Sequence, residues 1–367
     1  MKLKAWGANN YGQLGVGFIS EQCNCPTDVD LDYTFFDNNS RRITSISGGG
    51  GHTIITDNCG RLYGCGLNNN NQLTPRHTDN ISTFTELDFV ASPVGAQITC
   101  GWESTLLLSN NGLTVWGSNT YGQLGLKKDK SKRSVDPTCL SISRVAQVSC
   151  GLRHTAVLLD NGQLYMCGQG RKGQLGVVEN GSPVLESDQL LHVTDLSNVK
   201  AVSCGQHHTI ALTGDGCVYG WGDNKHFQLG LPVSNKQFVS PTLIASQVPI
   251  NTKLYAGWTH SFLLHDDGSL MPFGRNSYGQ LGNGVTSDDS RLNKPFQLLQ
   301  PFQQLAVGSE HTIALTEYGS VWSWGWNEHG SCGLNHQDNV YSPTLVQFNN
   351  KATLIGSGSA HSFALLS

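Results

Sequence analysis

Histidine is the residue type in this chain that most invites a chemical role. Six of its histidines, His52, His154, His208, His260, His311 and His361, stand three positions after a glycine in a recurring Gly-x-x-His-(Thr/Ser) string; Ser104 takes the place of a seventh. Imidazole can ligate metals and carry protons. One imidazole per repeat, set around a ring, is too dispersed for a tetrahedral site, and recurrence in every unit argues for shared packing and backbone hydrogen bonding instead. No metal is expected. Cys23-x-Cys25 is the one close cysteine pair and lacks the second ligand pair of a zinc site, while eleven cysteines at irregular spacing read as free thiols in a reducing compartment. Cys100, Cys150 and Cys204 each precede a loop glycine and read as small buried strand residues. The chain has no Gly-x-x-x-x-Gly-Lys-(Ser/Thr) phosphate cradle, nucleophile elbow or zincin helix, so neither covalent catalysis nor a bound cofactor is expected.

The elements that must position these residues are set by repetition. A second string, Trp-Gly-x-Asn-x-Tyr-Gly-Gln-Leu-Gly, has its Trp-Gly position at Trp6-Gly7, Cys65-Gly66, Trp116-Gly117, Cys167-Gly168, Trp221-Gly222, Phe273-Gly274 and Trp324-Gly325. Its glycines are 59, 51, 51, 54, 52 and 51 residues apart, and seven Gly-x-x-His copies interleave with them. Between the two strings lies a short apolar stretch and a turn such as Asp160-Asn161-Gly162, where glycine supplies the positive φ of a tight hairpin. Pro-Thr pairs at Pro137, Pro241 and Pro343 mark a fourth strand, which makes each unit a propeller blade.

The phase of the ends predicts closure. Trp6 has no Gly-x-x-His string before it, and the string at His361 has no Trp-Gly after it. The two halves complete one blade, so the first strand pairs with the last ones and no sheet edge is left open. The expected fold is all-β: one domain over residues 1–367, a single seven-bladed propeller of four-stranded antiparallel blades. A stacked solenoid is the alternative, and it would need capping units that the sequence lacks.

Composition agrees. Of 367 residues, 43 are glycine and only 14% are charged, which disfavours helical bundles. A net charge of −4 gives no global attraction to nucleic acid or anionic lipid, and no apolar run is long enough to span a bilayer. A cytoplasmic monomer is expected, with a nuclear location also open; no integral membrane association is expected.

The two strings in register over the whole chain resemble the RCC1-like family, the seven-bladed propellers named for the regulator of chromosome condensation. Its founding member is an exchange factor for the small GTPase Ran. Other members are ubiquitin-ligase modules, adaptors, a plant ultraviolet photoreceptor and effectors of intracellular bacteria, so the resemblance implies a fold more firmly than an activity. It also implies partner contact through the Gly-x-x-His loops. Gly205-Gln206-His207-His208 is similar to the family's Gly-Gln-His-His loop, and Glu103 falls where the exchange factor carries an acidic residue. A second acidic position falls at Gly50-Gly51 and is empty, and the β-wedge that the exchange factor inserts after one Trp-Gly is expected to be missing, because every Trp-Gly string keeps the same ten-residue length.

Two functions are therefore expected in parallel: a Ran- or Rab-type GTPase binder or exchange factor acting through this face, or a non-catalytic adaptor for a protein or peptide. The face would present Trp102, Glu103, Arg153, His207, His208, Trp258 and Glu310. Trp102 and Trp258 either face the partner or pack between loops; with no Gly-Trp-Arg-His loop in the chain, light sensing is not expected. Lys127, Lys128, Lys130, Lys132 and Arg133 form a basic stretch that reads either as a docking rim or as a solvated loop. Asp28, Asp30, Asp32 and Asp37 lack calcium-loop spacing and read as solvation or rim contacts. Asn68 to Asn71 read as turn residues replacing glycine.

Overall fold

The computed structural model describes residues 1–31, 41–90, 93–232, 234–285, 295–298 and 300–367. Asp32 and Asp37 lie outside the described residues. Seven antiparallel sheets stand around one axis, each a meander whose first strand is innermost and whose neighbours in the ring are the preceding and following blades. Blade 1 comprises Ile43–Gly48, His52–Asp57, Leu62–Gly66 and Ile81–Glu86. Blades 2, 3, 4 and 6 repeat the plan over residues 97–139, 145–192, 199–245 and 302–346. Among the described residues, blade 5 has three strands, Lys253–Ala256, His260–Leu264 and Leu270–Gly274. Its fourth position is marked by a bridge between Leu270 and Phe296. Pro272, two residues further on the same edge, has no N–H with which to extend that ladder.

Blade 7 is the seam. Lys2–Ala8 pairs with His361–Leu366 from Lys2 opposite Leu366 to Gly7 opposite His361, with Ala352–Ser357 inside and Gln22–Asp28 outside. Both chain ends are thereby held in the interior of one sheet. Trp6 completes the join across to blade 6, its indole N–H donating to the Ser331 carbonyl at 2.9 Å.

The recurring residues fasten neighbouring blades. Between blades 3 and 4, the Thr209 hydroxyl donates to the Gln174 carbonyl at 3.0 Å, Trp221 Nε1 donates to the same carbonyl at 3.0 Å, and His154 Nε2 lies 3.1 Å from Thr209 Oγ1. Because that hydroxyl directs its proton to the carbonyl, the imidazole is the donor, which fixes the Nε2–H tautomer. The same contact joins His52 to Thr105, His208 to Ser261, His311 to Ser362 and, across the seam, His361 to Thr53. Trp6, Trp116, Trp221 and Trp324 are fully buried between blades; Trp221, for example, packs with Leu158, Leu164 and Met166 of blade 3.

Two glycine positions are dictated by close approach. A Cβ at Gly151 would lie 2.2 Å from His154 Cε1 and 2.4 Å from the Gly205 carbonyl oxygen. Gly168 sits at φ 102° in a β-bulge of the third strand, where a Cβ would meet the Arg153 carbonyl oxygen at 2.4 Å.

Candidate functional site

In a four-strand meander the first and third connections leave the sheet at the same end, so the Gly-x-x-His loops and the loops after Trp-Gly share one face. They are tied backbone to backbone. The N–H of the residue after Trp-Gly donates to the carbonyl of the second variable loop residue: Ser118 to Glu103 at 2.8 Å, Gln169 to Arg153 at 2.7 Å, Asp223 to His207 at 2.8 Å and Trp326 to Glu310 at 2.8 Å. This fixes the loop frame, leaving side-chain identity as what differs from blade to blade.

At the centre of the face Trp102 and Trp258, from blades 2 and 5, reach toward the axis and meet, with ring centroids 5.2 Å apart and planes inclined at 44°. Both indoles are half-buried, which joins the two alternatives left by the sequence: they pack on each other and also present surface at the face. Gly50 makes room, since a Cβ there would fall 2.7 Å from Trp102 Cδ2. Around the axis lies a cavity of about 110 Å³, lined by these indoles, loop glycines and Cys100, Cys150 and Cys204. Burial pushes the thiols of Cys100 and Cys204 up to about 12 and that of Cys150 higher still. These three cysteines are inert wall residues as placed.

Next to Trp102, a groove of about 560 Å³ runs between blades 2 and 3, lined by Asn69, Asn70, Glu103, Tyr121, Arg133 and Arg153 among others. The Arg153 guanidinium lies 4.3 Å over the Tyr121 ring. His207, half-buried at the same face, has its pKa lowered, chiefly by burial and against the pull of Asp223.

Two expected face residues lie elsewhere. His208 is fully buried, bonded through Nε2 to Ser261 Oγ at 2.9 Å, and burial lowers its pKa to about 3; it is a blade fastener, not a surface contact. Glu310 is only 8% exposed. Its carboxylate accepts from Thr259 Oγ1 at 2.7 and 2.9 Å and from Gln280 Nε2 at 2.7 Å, with His260 Nδ1 3.8 Å away. Burial raises its pKa, opposed by those hydrogen bonds and by Arg275. The loop carries it inward because two donors, the Thr259 hydroxyl and the Gln280 amide, offset part of its desolvation there.

Of the basic stretch, Lys127, Lys130, Lys132 and Arg133 are exposed. Lys128 is not free: its ammonium is paired with Glu186, and its backbone N–H donates to Asp188 Oδ2 at 3.0 Å. Asp28 is likewise paired, with Lys4 at 3.0 Å. Past the ten-residue string of blade 3, Val178–Glu179 and Ser182–Pro183 form a two-stranded ribbon around an Asn180-Gly181 turn, with Val178 and Leu185 exposed. Constant string length therefore does not exclude a hairpin on this face; it excludes one inside the string. Tyr121 and the aromatic pair Trp326–His329, 5.0 Å apart, were not singled out by the sequence, because tyrosine recurs at its string position and reads as packing. Among the described residues, no three His, Cys, Asp or Glu side chains converge where they could hold a metal ion, and no helix is long and apolar enough to cross a membrane.

Comparison with known proteins places this architecture. The sequence profile of the RCC1-like domain matches residues 2–364. The secretion-regulating guanine nucleotide exchange factor of Mus musculus is 34% identical over 396 residues, an alignment covering 99% of this chain and 83% of that protein; its Bos taurus counterpart is 32% identical, with 99% and 82% covered. Among solved structures, human WBSCR16 superposes with a TM-score of 0.86 at 22% identity over 100% of both chains. Prp20p from Saccharomyces cerevisiae, a crystal structure described together with its binding to Gsp1p and histones, gives 0.83 at 22% identity over 99% of this chain and 90% of its own. At such identity the structures speak for the fold, while the profile and the two relatives speak for descent, and by both measures the chain belongs to the RCC1-like family.

Proposed function

We propose that this protein is a small-GTPase-directed regulator, a binder or guanine nucleotide exchange factor for a Ran- or Rab-type GTPase, working through the Gly-x-x-His face. The observation that carries the reading is the alignment of 99% of the chain with relatives named as secretion-regulating guanine nucleotide exchange factors. The face supports it in chemical terms. Exchange makes and breaks no covalent bond; the factor binds the nucleotide-free GTPase more tightly than the loaded one. That requires an anchoring surface and a side chain able to compete for the lysine of the GTPase's phosphate loop. The Trp102–Trp258 pair supplies half-buried aromatic area at the centre, of the kind that dominates interfaces. Glu103 beside it is a half-exposed carboxylate that makes no ion pair among the described residues. Its eleven unpaired cysteines suit a reducing compartment.

Release of fluorescent GDP from a panel of purified Ran- and Rab-type GTPases tests the reading. Acceleration of one of them, reduced in Trp102→Ala and Glu103→Gln, is the expected result. Binding to a GTPase without acceleration would make the protein an effector or adaptor, and neither binding nor acceleration across the panel would overturn the proposal.

A further inference from the structure

We infer that the groove between blades 2 and 3, which adjoins the surface proposed above and shares Trp102 and Glu103 with it, is also a binding site for an acidic, tyrosine-bearing peptide segment of a partner protein. Its walls hold two guanidiniums, Arg133 and Arg153, for which no carboxylate lies within ion-pairing distance among the described residues. The Arg153 guanidinium carbon lies 4.3 Å over the Tyr121 ring, a cation–π contact that uses none of its N–H donors in an ion pair. A guanidinium edge pairs best with a carboxylate, two N–H donors to two oxygens.

The surroundings select the same charge. The whole chain is at −4, yet Lys127, Lys130 and Lys132 lie exposed on the loop that carries Arg133, and Arg171 and Lys172 are exposed one blade on. The nearby acids are largely committed: Glu186 and Asp188 to Lys128, and Asp129 to Ser131 at 2.7 Å. Trp102, Tyr121 and Leu152 give the groove an aromatic and apolar floor that fits a ring, and the exposed Asn69 and half-buried Asn70 amides at the rim suit a peptide backbone. A concave site with Glu103 in its wall is poorly matched to a lipid surface or a phosphate backbone, which present only negative charge. A peptide can place its carboxylates on the arginines and a backbone N–H on Glu103. The site needs neither nucleotide nor Trp258, so it does not rest on the exchange reading.

The test is fluorescence anisotropy of the full chain, without any GTPase, using a fluorescein-labelled octapeptide alternating glutamate and tyrosine, with glutamine and lysine counterparts. Saturable binding of the glutamate peptide, weakened by salt and absent for the other two, is expected. Arg133→Gln and Arg153→Gln should each weaken it about tenfold, or about 1.4 kcal/mol, while Glu103→Gln should tighten it. That opposite sign cannot come from misfolding. Equal binding of all three peptides, no saturable binding, or unchanged affinity in both arginine variants would overturn the site. So would sedimentation with phosphatidylserine vesicles that the glutamate peptide does not displace, which would assign the patch to a membrane. GDP release is measured on the same preparations, so failure of one reading is visible separately from failure of the other.

Discussion

Trp102 and Trp258 are three blades apart in the chain and in contact in the fold, their ring centroids 5.2 Å apart above the axis. Blade number measures angle around the ring, but inner-loop side chains are short of the axis by only a few ångströms, so opposite blades can touch there. The pair is braced by backbone: the Trp102 carbonyl accepts from Gly50 N–H at 3.0 Å, and Trp258 N–H donates to the Ser309 carbonyl at 2.8 Å.

Disturbing that pair should cost binding more than stability. Trp102→Ala or Trp258→Ala removes a central aromatic anchor, for which a loss of about 2 kcal/mol in partner affinity is typical. Gly50→Ala displaces the same ring more harshly, because its Cβ would sit 2.7 Å from Trp102 Cδ2 and also 2.7 Å from the Trp102 backbone oxygen, so it should cost stability as well. Titration against the responsive GTPase, with thermal melts of each variant, checks this: affinity should fall at least tenfold in all three, while Tm moves little in the two tryptophan variants. Full affinity in all three variants would show that the partner docks elsewhere.

Gly151→Ala should be among the most damaging single-methyl changes in the protein. Its Cβ would lie 2.2 Å from His154 Cε1 and 2.4 Å from the Gly205 carbonyl oxygen, and the carbonyl is backbone of the next blade, which cannot swing away. The expected loss is about 3 kcal/mol or more, read as a lower denaturation midpoint with an unchanged m-value. Thr209→Val is a milder probe of the same interface: it leaves His154 Nε2–H without its acceptor and should cost about 1–3 kcal/mol.

How much of this was legible in the sequence follows from what repetition encodes. Seven Trp-Gly and seven Gly-x-x-His positions out of phase at the ends determine blade count and the seam at Trp6 and His361, since those residues serve backbone and blade contacts common to every unit. Residues that differ between units are the ones proposed to meet a partner, and their placement depends on neighbours from another blade. The inward turn of Glu310 needs Thr259 and Gln280, contributed 51 and 30 residues away. The seating of Trp102 needs Gly50, which read as an empty acidic position and serves instead as clearance for an indole.

The repeated histidines should make stability steeply acid-sensitive. Burial lowers His52, His154, His208, His260 and His361 to about 3 and His311 to about 4, from an ordinary value of 6.5. These imidazoles stay neutral when folded, so below pH 6.5 the unfolded chain binds more protons and stability falls as pH falls, down to about 3. With six sites the slope approaches about 8 kcal/mol per pH unit once all are protonated in the unfolded chain, enough to exhaust an ordinary stability within two units. Urea melts from pH 8 to pH 4 should show a plateau at neutral pH and a steep decline below it, and His154→Gln should reduce the slope by about one proton. A profile flat down to pH 4 would mean that these imidazoles are not sealed from water.

Glu310 offers a change of the opposite sign. Its folded pKa is raised, so the native state favours the protonated carboxyl; that preference stabilises the fold at low pH and is lost as pH rises through the folded value. Above it the fold must hold a buried charge, with the hydroxyl of Thr259 and the amide of Gln280 as partial compensation. Glu310→Gln keeps the shape and an oxygen able to accept from both donors while removing the charge. Its Tm should rise by about 2 °C at pH 8, of the order expected for ~1 kcal/mol in a chain of this size, and the gain should shrink as the pH is lowered toward 5. A gain that is the same at every pH would place the effect in packing, and a loss at pH 8 would mean that the carboxylate is held ionised by Arg275 and its hydrogen bonds more strongly than burial opposes it.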